Sequence, residues 1–175
     1  MKIHVAQMLK QAVGLTKEYP VDEPAQADRG PVRGRVKLTR TGRSILVAGR
    51  LETTARVACS RCLDEFEAPL TLDMEEEYFP IVDVLTGEPL PAPEDEGAFT
   101  IDEDHILDLD EAIRQYTILA LPMKPICRPD CAGLCPNCGA SLNQGLCQCA
   151  TTQPDPRWAK LEALRHGAGA PRKGV

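Results

Sequence analysis

Apolar and polar residues alternate along three segments in the first half of the chain, as side chains do on a strand with one buried face. The alternation starts at Val32, resumes at Ile45 after a turn at Thr41-Gly42, and appears again from Phe66 to Met74. Gly49 permits the bend that the long second strand needs. Consecutive strands with short connections favour an antiparallel meander. The weaker pattern of the first 28 residues predicts a short strand or arm that leads into a loop.

A helical repeat replaces this alternation after a proline-rich loop from Pro80 to Gly97. Apolar positions now recur every three or four residues, as on one face of a helix. They are Leu109, Ala112, Ile113, Tyr116 and Ala120. Asp108 is suited to cap this helix, with Glu111 completing a capping box and Pro122 marking the end. We expect the helix, around Leu109 to Leu121, to lie on the sheet.

The composition fits a folded chain whose core is mainly aliphatic. Of the 175 residues, 43% are hydrophobic and only 4% are aromatic. The N-terminal residues lack the apolar stretch of a signal peptide, and no segment approaches the ~18 apolar residues of a membrane span. The sequence therefore predicts a soluble, cytoplasmic protein with no membrane partner.

Charge is distributed unevenly, although the net charge is only −6. Nine basic residues and one acid lie between Arg29 and Arg61, whereas Asp64 to Glu111 contains eighteen acids and no Lys or Arg. The basic strands are either a solvated face of the sheet or a surface that follows RNA phosphates. The residues of this candidate RNA surface are Arg33, Arg35, Lys37, Arg40, Arg43, Arg50 and Arg56. The acidic segment is a solvated face or loop, a cover for the basic face, or a contact for a basic partner protein.

Eight cysteines lie in two clusters, which indicates metal ligands or a redox centre in a reduced compartment. The first cluster is Cys59 and Cys62, and the second is Cys127, Cys131, Cys135, Cys138, Cys147 and Cys149. A thioredoxin-like redox pair needs a strand-to-helix setting, whereas both flanks of the first pair are predicted strands. Metal binding is the favoured interpretation for both clusters.

The stretch from Cys135 to Gly139, CPNCG, is typical of a zinc knuckle. Four thiolates complete a closed tetrahedral zinc site. We therefore predict one Zn²⁺ bound by Cys135, Cys138, Cys147 and Cys149, with Asn143 to Gly145 as the turn between the pairs. The other four cysteines, Cys59, Cys62, Cys127 and Cys131, are expected to form a second site that joins the tail to the tip of a hairpin. Arg61 and Arg128 lie beside ligands and are expected to offset thiolate charge.

Catalytic motifs are missing from the sequence. His4, His105 and His166 are scattered, and neither Gly-x-Ser-x-Gly nor a phosphate-binding loop occurs. No His/Glu pair accompanies the cysteines, as metal-assisted hydrolysis would require. We therefore expect no enzyme activity and no small-molecule substrate.

Several motifs in order, ACSRCLDEFE, LDLDEAIRQYTILALPMKPIC, CRPDCAGLCPNCGASLN and DPRWAKLEALR, resemble the YceD family of bacterial proteins. The resemblance covers about Val32 to Arg165. It implies a role in the synthesis, processing or stability of large-subunit ribosomal RNA. The implied partners are that RNA or a pre-ribosomal particle, with a ribosomal protein or processing factor. A zinc-stabilised protein adaptor without RNA contact is the alternative, and an oxidoreductase using Cys59 and Cys62 is a third interpretation.

These patterns together predict an α+β fold. A partly open, barrel-like antiparallel meander packed by one helix is expected over residues 1–125. A zinc-binding, cysteine-rich tail should follow over residues 126–166. Its short C-terminal helix begins at Asp155-Pro156 and carries Trp158, Leu161 and Leu164 before Gly167. Residues 167–175 are expected to be disordered.

Overall fold

The computed structural model of the protein describes residues 1–26, 29–93, 95, 97–145, 147–149 and 157. Its elements are β1 (Lys2–His4), α1 (Ala6–Leu9), β2 (Thr16–Glu23), β3 (Val32–Arg40), β4 (Ile45–Ala58), β5 (Glu65–Pro80), β6 (Phe99–Ile101), β7 (Ile106–Asp108) and α2 (Asp110–Ala120). The strands form a seven-stranded sheet in the order β1-β7-β6-β5-β4-β3-β2, curled into half a barrel. Neither helix is long and apolar enough to cross a membrane.

The three predicted strands are present as β3, β4 and β5, and each pairs antiparallel with the next. Two features differ from the expected meander. An eight-residue strand, β2, occupies the sheet edge beside β3, and Pro20 is tolerated there because an edge strand need not donate every amide. In addition, β6 runs parallel to β5, with Tyr78 opposite Phe99. The sheet is therefore mixed, and its meander covers β2 to β5.

One face of the sheet carries the main hydrophobic core. The buried side chains are aliphatic for the most part, and β3, β4 and β5 contribute Val32, Val36, Leu38, Ile45, Val47, Leu51, Ala55, Leu70, Leu72 and Met74. Helix α2 covers this face and buries Ala112 and Ile113 completely. The hydroxyl of Tyr116 lies 3.0 Å from a Glu76 carboxylate oxygen, to which it can donate, and 3.2 Å from the Glu75 amide, from which it accepts. The apolar stripe of the sequence thus faces the core as expected.

The start of α2 corrects the predicted capping box. Asp108 is the last residue of β7, Leu109 is the N-cap, and no side chain caps the helix. The Asp108 carboxylate accepts a hydrogen bond from the Asp110 amide at 3.0 Å. Glu111 binds Arg114 and Gln115 instead of reaching back to the cap. The capping box does not form because Asp108 belongs to β7 and pairs with Lys2 in the β1–β7 ladder.

Glycines let β3 and β4 approach closely near the middle of the sheet. A Cβ at Gly34, whose φ is +154°, would lie 2.4 Å from the Arg50 carbonyl oxygen. A Cβ at Gly49 would lie 2.5 Å from the Arg35 carbonyl oxygen. Any side chain at these positions would force the strands apart.

Beyond the main core, the β4–β5 hairpin ends in a second, small buried cluster. It contains Cys59, Cys62 and Cys131, with Cys127, Phe66 and Leu134 packed against it. The segment after α2 returns to this hairpin tip, where the Ser60 amide donates to the Pro125 carbonyl at 2.8 Å. The predicted C-terminal helix and the predicted disordered end, residues 167–175, lie outside the described residues. The division at residues 125 and 126 stays a prediction.

Candidate metal centres

Four cysteines meet at the tip of the β4–β5 hairpin, and we call this set the inner centre. Its members are Cys59, Cys62, Cys127 and Cys131, whose sulfurs all lie within 4.8 Å of one another. Three of them are buried and Cys127 is half-buried. The hairpin supplies one pair and the segment after α2 supplies the other, so the centre joins parts of the chain some 65 residues apart.

The other four cysteines form the outer centre, Cys135, Cys138, Cys147 and Cys149. Their sulfurs also lie within 4.8 Å of one another. Cys135 is buried and Cys147 half-buried, whereas Cys138 and Cys149 are exposed. The outer centre is therefore local in sequence and more open to solvent than the inner one.

The two Cys-x-x-Cys turns have the same backbone geometry. In each, the first cysteine's amide donates to the carbonyl five residues on, from Cys59 to Asp64 at 2.9 Å and from Cys135 to Ala140 at 2.8 Å. The carbonyl of the first cysteine accepts from the residue after the second cysteine, which has a positive φ. That residue is Gly139 in the outer centre but Leu63 in the inner one. The Cys59–Cys62 turn is thus also a knuckle, and the absence of glycine hid it in the sequence.

In the inner centre, the separations between sulfurs fit a tetrahedral metal ion with zinc-like bond lengths better than disulfides. Sulfurs around a zinc with Zn–S near 2.3 Å lie about 3.8 Å apart. The Cys59 and Cys131 sulfurs are 3.9 Å apart, and those of Cys62 and Cys127 are 3.7 Å apart. All eight cysteines are free thiols. Both sets can hold a metal ion, and four thiolates leave no open position for a substrate.

Backbone amides lower the pKa of the first cysteine in each Cys-x-x-Cys turn. Hydrogen bonds from Cys127 and Cys62 lower the pKa of Cys59 to about 6. Those from Cys138 and Asn137 likewise lower the pKa of Cys135 to about 6. Because zinc binds the thiolate, a lower pKa reduces competition from protons near neutral pH. Each knuckle therefore prepares one sulfur for a cation.

Asn143 is the residue that sequence reasoning missed, since it was assigned only to a turn. Its amide nitrogen donates to the Cys131 sulfur at 3.4 Å. Its carbonyl oxygen accepts from the Ala132 amide at 2.8 Å and from the Arg128 guanidinium at 3.0 Å. The turn within the outer centre therefore contacts a ligand of the inner centre. No spacing rule reveals this contact, because it depends on how the two knuckles pack.

The two arginines expected to offset thiolate charge act through neighbouring groups. Arg61 donates to the Cys131 carbonyl at 3.0 Å. Arg128 binds Asn143 and lies 3.6 Å from the Asp130 carboxylate. Each guanidinium thus orders the chain around Cys131.

Five residues of the candidate RNA surface share the exposed face of β3 and β4. They are Arg33, Arg35, Lys37, Arg50 and Arg56. Four of them lie near carboxylates of the flanking strands. The pairs are Arg33 and Asp22 at 3.4 Å, Arg35 and Glu18 at 3.9 Å, Arg50 and Asp73 at 3.6 Å, and Arg56 and Glu65 at 4.0 Å. The basic strands therefore lie between acidic neighbours.

The other two predicted RNA contacts lie at the β3–β4 turn. The guanidinium of Arg40 donates to the carbonyls of Leu9 at 3.4 Å and Ser44 at 3.0 Å, so it stabilises the turn. Arg43 is exposed and lines a small cleft of about 190 Å³ with Arg40 and Asp83. The structure thus brings five of the seven residues together on one face and places two at its end.

Comparison with known proteins places these features in a family. The family model for large ribosomal RNA subunit accumulation protein YceD matches residues 47–165. This range contains all but the first two residues of β4, together with β5, α2 and all eight cysteines. No solved structure matches the chain.

Curated relatives come from bacteria and plants. An uncharacterized protein of Mycobacterium tuberculosis is 35% identical over 126 residues, which are 72% of this chain and 58% of that protein. The large ribosomal RNA subunit accumulation protein YCED homolog 1, chloroplastic, of Arabidopsis thaliana is 26% identical over 170 residues, 85% of this chain and 51% of that one. The homolog of the same name in Zea mays is 30% identical over 146 residues, 70% of this chain and 50% of that one. The chain thus spans about half the length of these relatives.

Proposed function

Because the chain belongs to the YceD family, we propose that it is a non-enzymatic factor that supports the synthesis, processing or stability of large-subunit ribosomal RNA. The observation that carries this proposal is the family match, whose range includes both cysteine centres. The proposed partners are large-subunit ribosomal RNA or a pre-ribosomal particle, together with a ribosomal protein or processing factor. The proposed site of action is the compartment in which ribosomes are assembled, the cytoplasm for a bacterial chain.

The chemistry of the two centres supports a role in binding. We propose that each centre holds Zn²⁺, since a set of four thiolates with no oxygen or imidazole ligand is characteristic of structural zinc. A bound zinc would order the knuckles and carry no reaction, because all four positions are taken by protein sulfur. The centres are therefore proposed as scaffolds that present the surface around them.

The exposed face of β3 and β4 is the proposed RNA contact. Its four ion pairs are between side chains that are at least 65% exposed, and such surface pairs contribute only about 0–1 kcal/mol each. An RNA phosphate can therefore replace a carboxylate partner at little cost. A surface of this kind binds RNA with an affinity that falls steeply as salt is raised.

A triple charge reversal tests this contact. Arg33→Glu, Arg35→Glu and Lys37→Glu together should abolish the gel shift of a structured large-subunit RNA fragment by zinc-loaded protein. The logarithmic salt slope should fall by about one for each phosphate contact that is lost. A matched control, Lys2→Glu, Lys10→Glu and Lys124→Glu, changes the net charge equally at other exposed positions and should retain most of the binding. Equal losses in both variants would remove the face from the proposal.

The second candidate function is that of an adaptor that binds a protein and not RNA, and an exposed apolar surface favours it. Leu63 at the inner knuckle is 65% exposed despite its positive φ. Around the end of α2, Ile118, Leu119 and Met123 are 54%, 78% and 100% exposed. Three results together would favour the adaptor. Binding to pre-ribosomal particles would be insensitive to salt and would survive the triple charge reversal. It would be lost in the double variant Leu63→Ser, Met123→Ser.

A further inference from the structure

The turn between the two pairs of the outer centre packs directly on the inner centre. Besides the three contacts of Asn143, the Leu142 amide donates to the Gly133 carbonyl at 2.9 Å. Leu134 and Ser141 form an isolated antiparallel bridge. The linker between Cys131 and Cys135 is thus held along its length by the outer turn.

The other side of this linker lies against the hairpin tip. A Cβ at Gly133, whose φ is +77°, would lie 3.2 Å from the Arg61 carbonyl oxygen. Arg61 also donates to the Cys131 carbonyl. The linker therefore sits between Arg61 of the inner knuckle and residues 141–143 of the outer turn. A displacement of the outer turn would remove one of the two sets of contacts that position Cys131.

The Asn143 side chain links the outer turn electrostatically to the sulfur of Cys131. Four thiolates around a divalent cation leave a net negative charge, and N–H donors to sulfur spread that charge. Cys59 receives backbone amides from Arg61 and Cys127 at 3.5 Å and 3.4 Å. The side-chain donor to Cys131 comes from Asn143, on the loop that Cys138 and Cys147 enclose. A metal in the outer centre would fix the ends of that loop.

From these contacts we propose that Asn143 is a positioning residue that couples the two metal centres, so that occupancy of the outer centre strengthens metal binding by the inner one. The inference rests on the proposed metal binding and adds that filling one centre changes the metal affinity of the other. The outer centre, with two exposed thiols, is the one that exchanges its ion with solvent. Linkage requires that the inner ion strengthen the outer site by the same factor.

Cobalt titration of the full chain measures the coupling: the absorption of cobalt tetrathiolate gives the number of filled centres, and hydrogen exchange of the Cys59–Cys62 turn shows when the inner one is filled. The double variant Cys138→Ser, Cys149→Ser disables the outer centre and leaves the inner ligands intact. We expect the inner affinity to fall about 10- to 100-fold, the usual range for loss of a group that supports a ligand. Asn143→Ala should weaken the inner centre to a similar extent with all eight cysteines present.

Two further variants separate positioning from general damage. Gln144→Ala removes a neighbouring exposed side chain and should leave both affinities unchanged. Asn143→Asp keeps the acceptor for Ala132 but removes the donor to Cys131, so it should weaken the inner centre as Asn143→Ala does. Added to the double cysteine variant, Asn143→Ala should have no further effect, because the outer loop no longer places it.

The proposal is overturned if the inner affinity is unchanged in the double cysteine variant or in Asn143→Ala. Fully additive effects would also overturn it, since Asn143 would then act without the outer centre. These outcomes differ from failure of the proposed metal binding, in which the wild-type chain itself would bind no cobalt or zinc.

Discussion

Removing the proposed zinc ions with a chelator is expected to detach residues 125–149 from the β4–β5 hairpin while the sheet stays folded. The small buried cluster at the hairpin tip is built largely from the cysteines themselves. Without a cation, four neighbouring thiolates must take up protons or repel one another, and the apparent binding free energy of a structural zinc, about 10–16 kcal/mol, would be lost. Few other contacts hold this segment to the hairpin. They include the hydrogen bonds of Ser60 to Pro125 and of Arg61 to Cys131.

Hydrogen exchange measured by mass spectrometry checks this prediction. Amides of residues 125–149 should lose protection after chelation, whereas those of β3 and β4 should keep it. Cys62→Ser should reproduce the detachment at saturating zinc, and Cys149→Ser should not, since it leaves all four inner ligands. Loss of protection throughout the sheet would show that the metal centres stabilise the main core as well, against the separation proposed here.

Ile113→Ala is expected to cause the largest loss of stability among single changes in α2. Ile113 is fully buried between the helix and the sheet. Truncation removes its transfer free energy and leaves a cavity, a combined cost of about 2–5 kcal/mol. The free energy of unfolding, measured with urea in the presence of zinc, should fall by this amount.

The control lies on the opposite side of the same helix. Ile118 is 54% exposed, so Ile118→Ala should change the free energy of unfolding by no more than about 0.5 kcal/mol. Equal effects of the two substitutions would mean that α2 does not pack on the sheet by the face containing Ala112 and Ile113.

Regular patterning explains which parts of the fold were predictable. β3, β4 and β5 each alternate buried and exposed residues over most of their length, so period two was visible. β2 buries only Val21 and contains Pro20, and an edge strand of this kind lacks an apolar pattern. β6 and β7 have three residues each, too few for any period. Their pairing depends on contacts that are distant in sequence.

The two sets of four cysteines follow from spacing, whereas their surroundings do not. The structure brings together the same two sets that the spacing suggests. The support from Asn143 and the left-handed backbone of Leu63 depend on tertiary packing. The basic segment looked uncompensated because its acidic partners, such as Asp22 and Asp73, lie on other strands. The charge of one sequence segment therefore does not give the charge of a sheet surface, to which neighbouring strands also contribute.

The metal content of the native protein tests the account most directly. Native mass spectrometry combined with zinc K-edge X-ray absorption should find two zinc ions per chain, each with four sulfur neighbours near 2.3 Å. Less than half an equivalent of metal, or cysteines joined as disulfides in protein purified without oxidant, would contradict it.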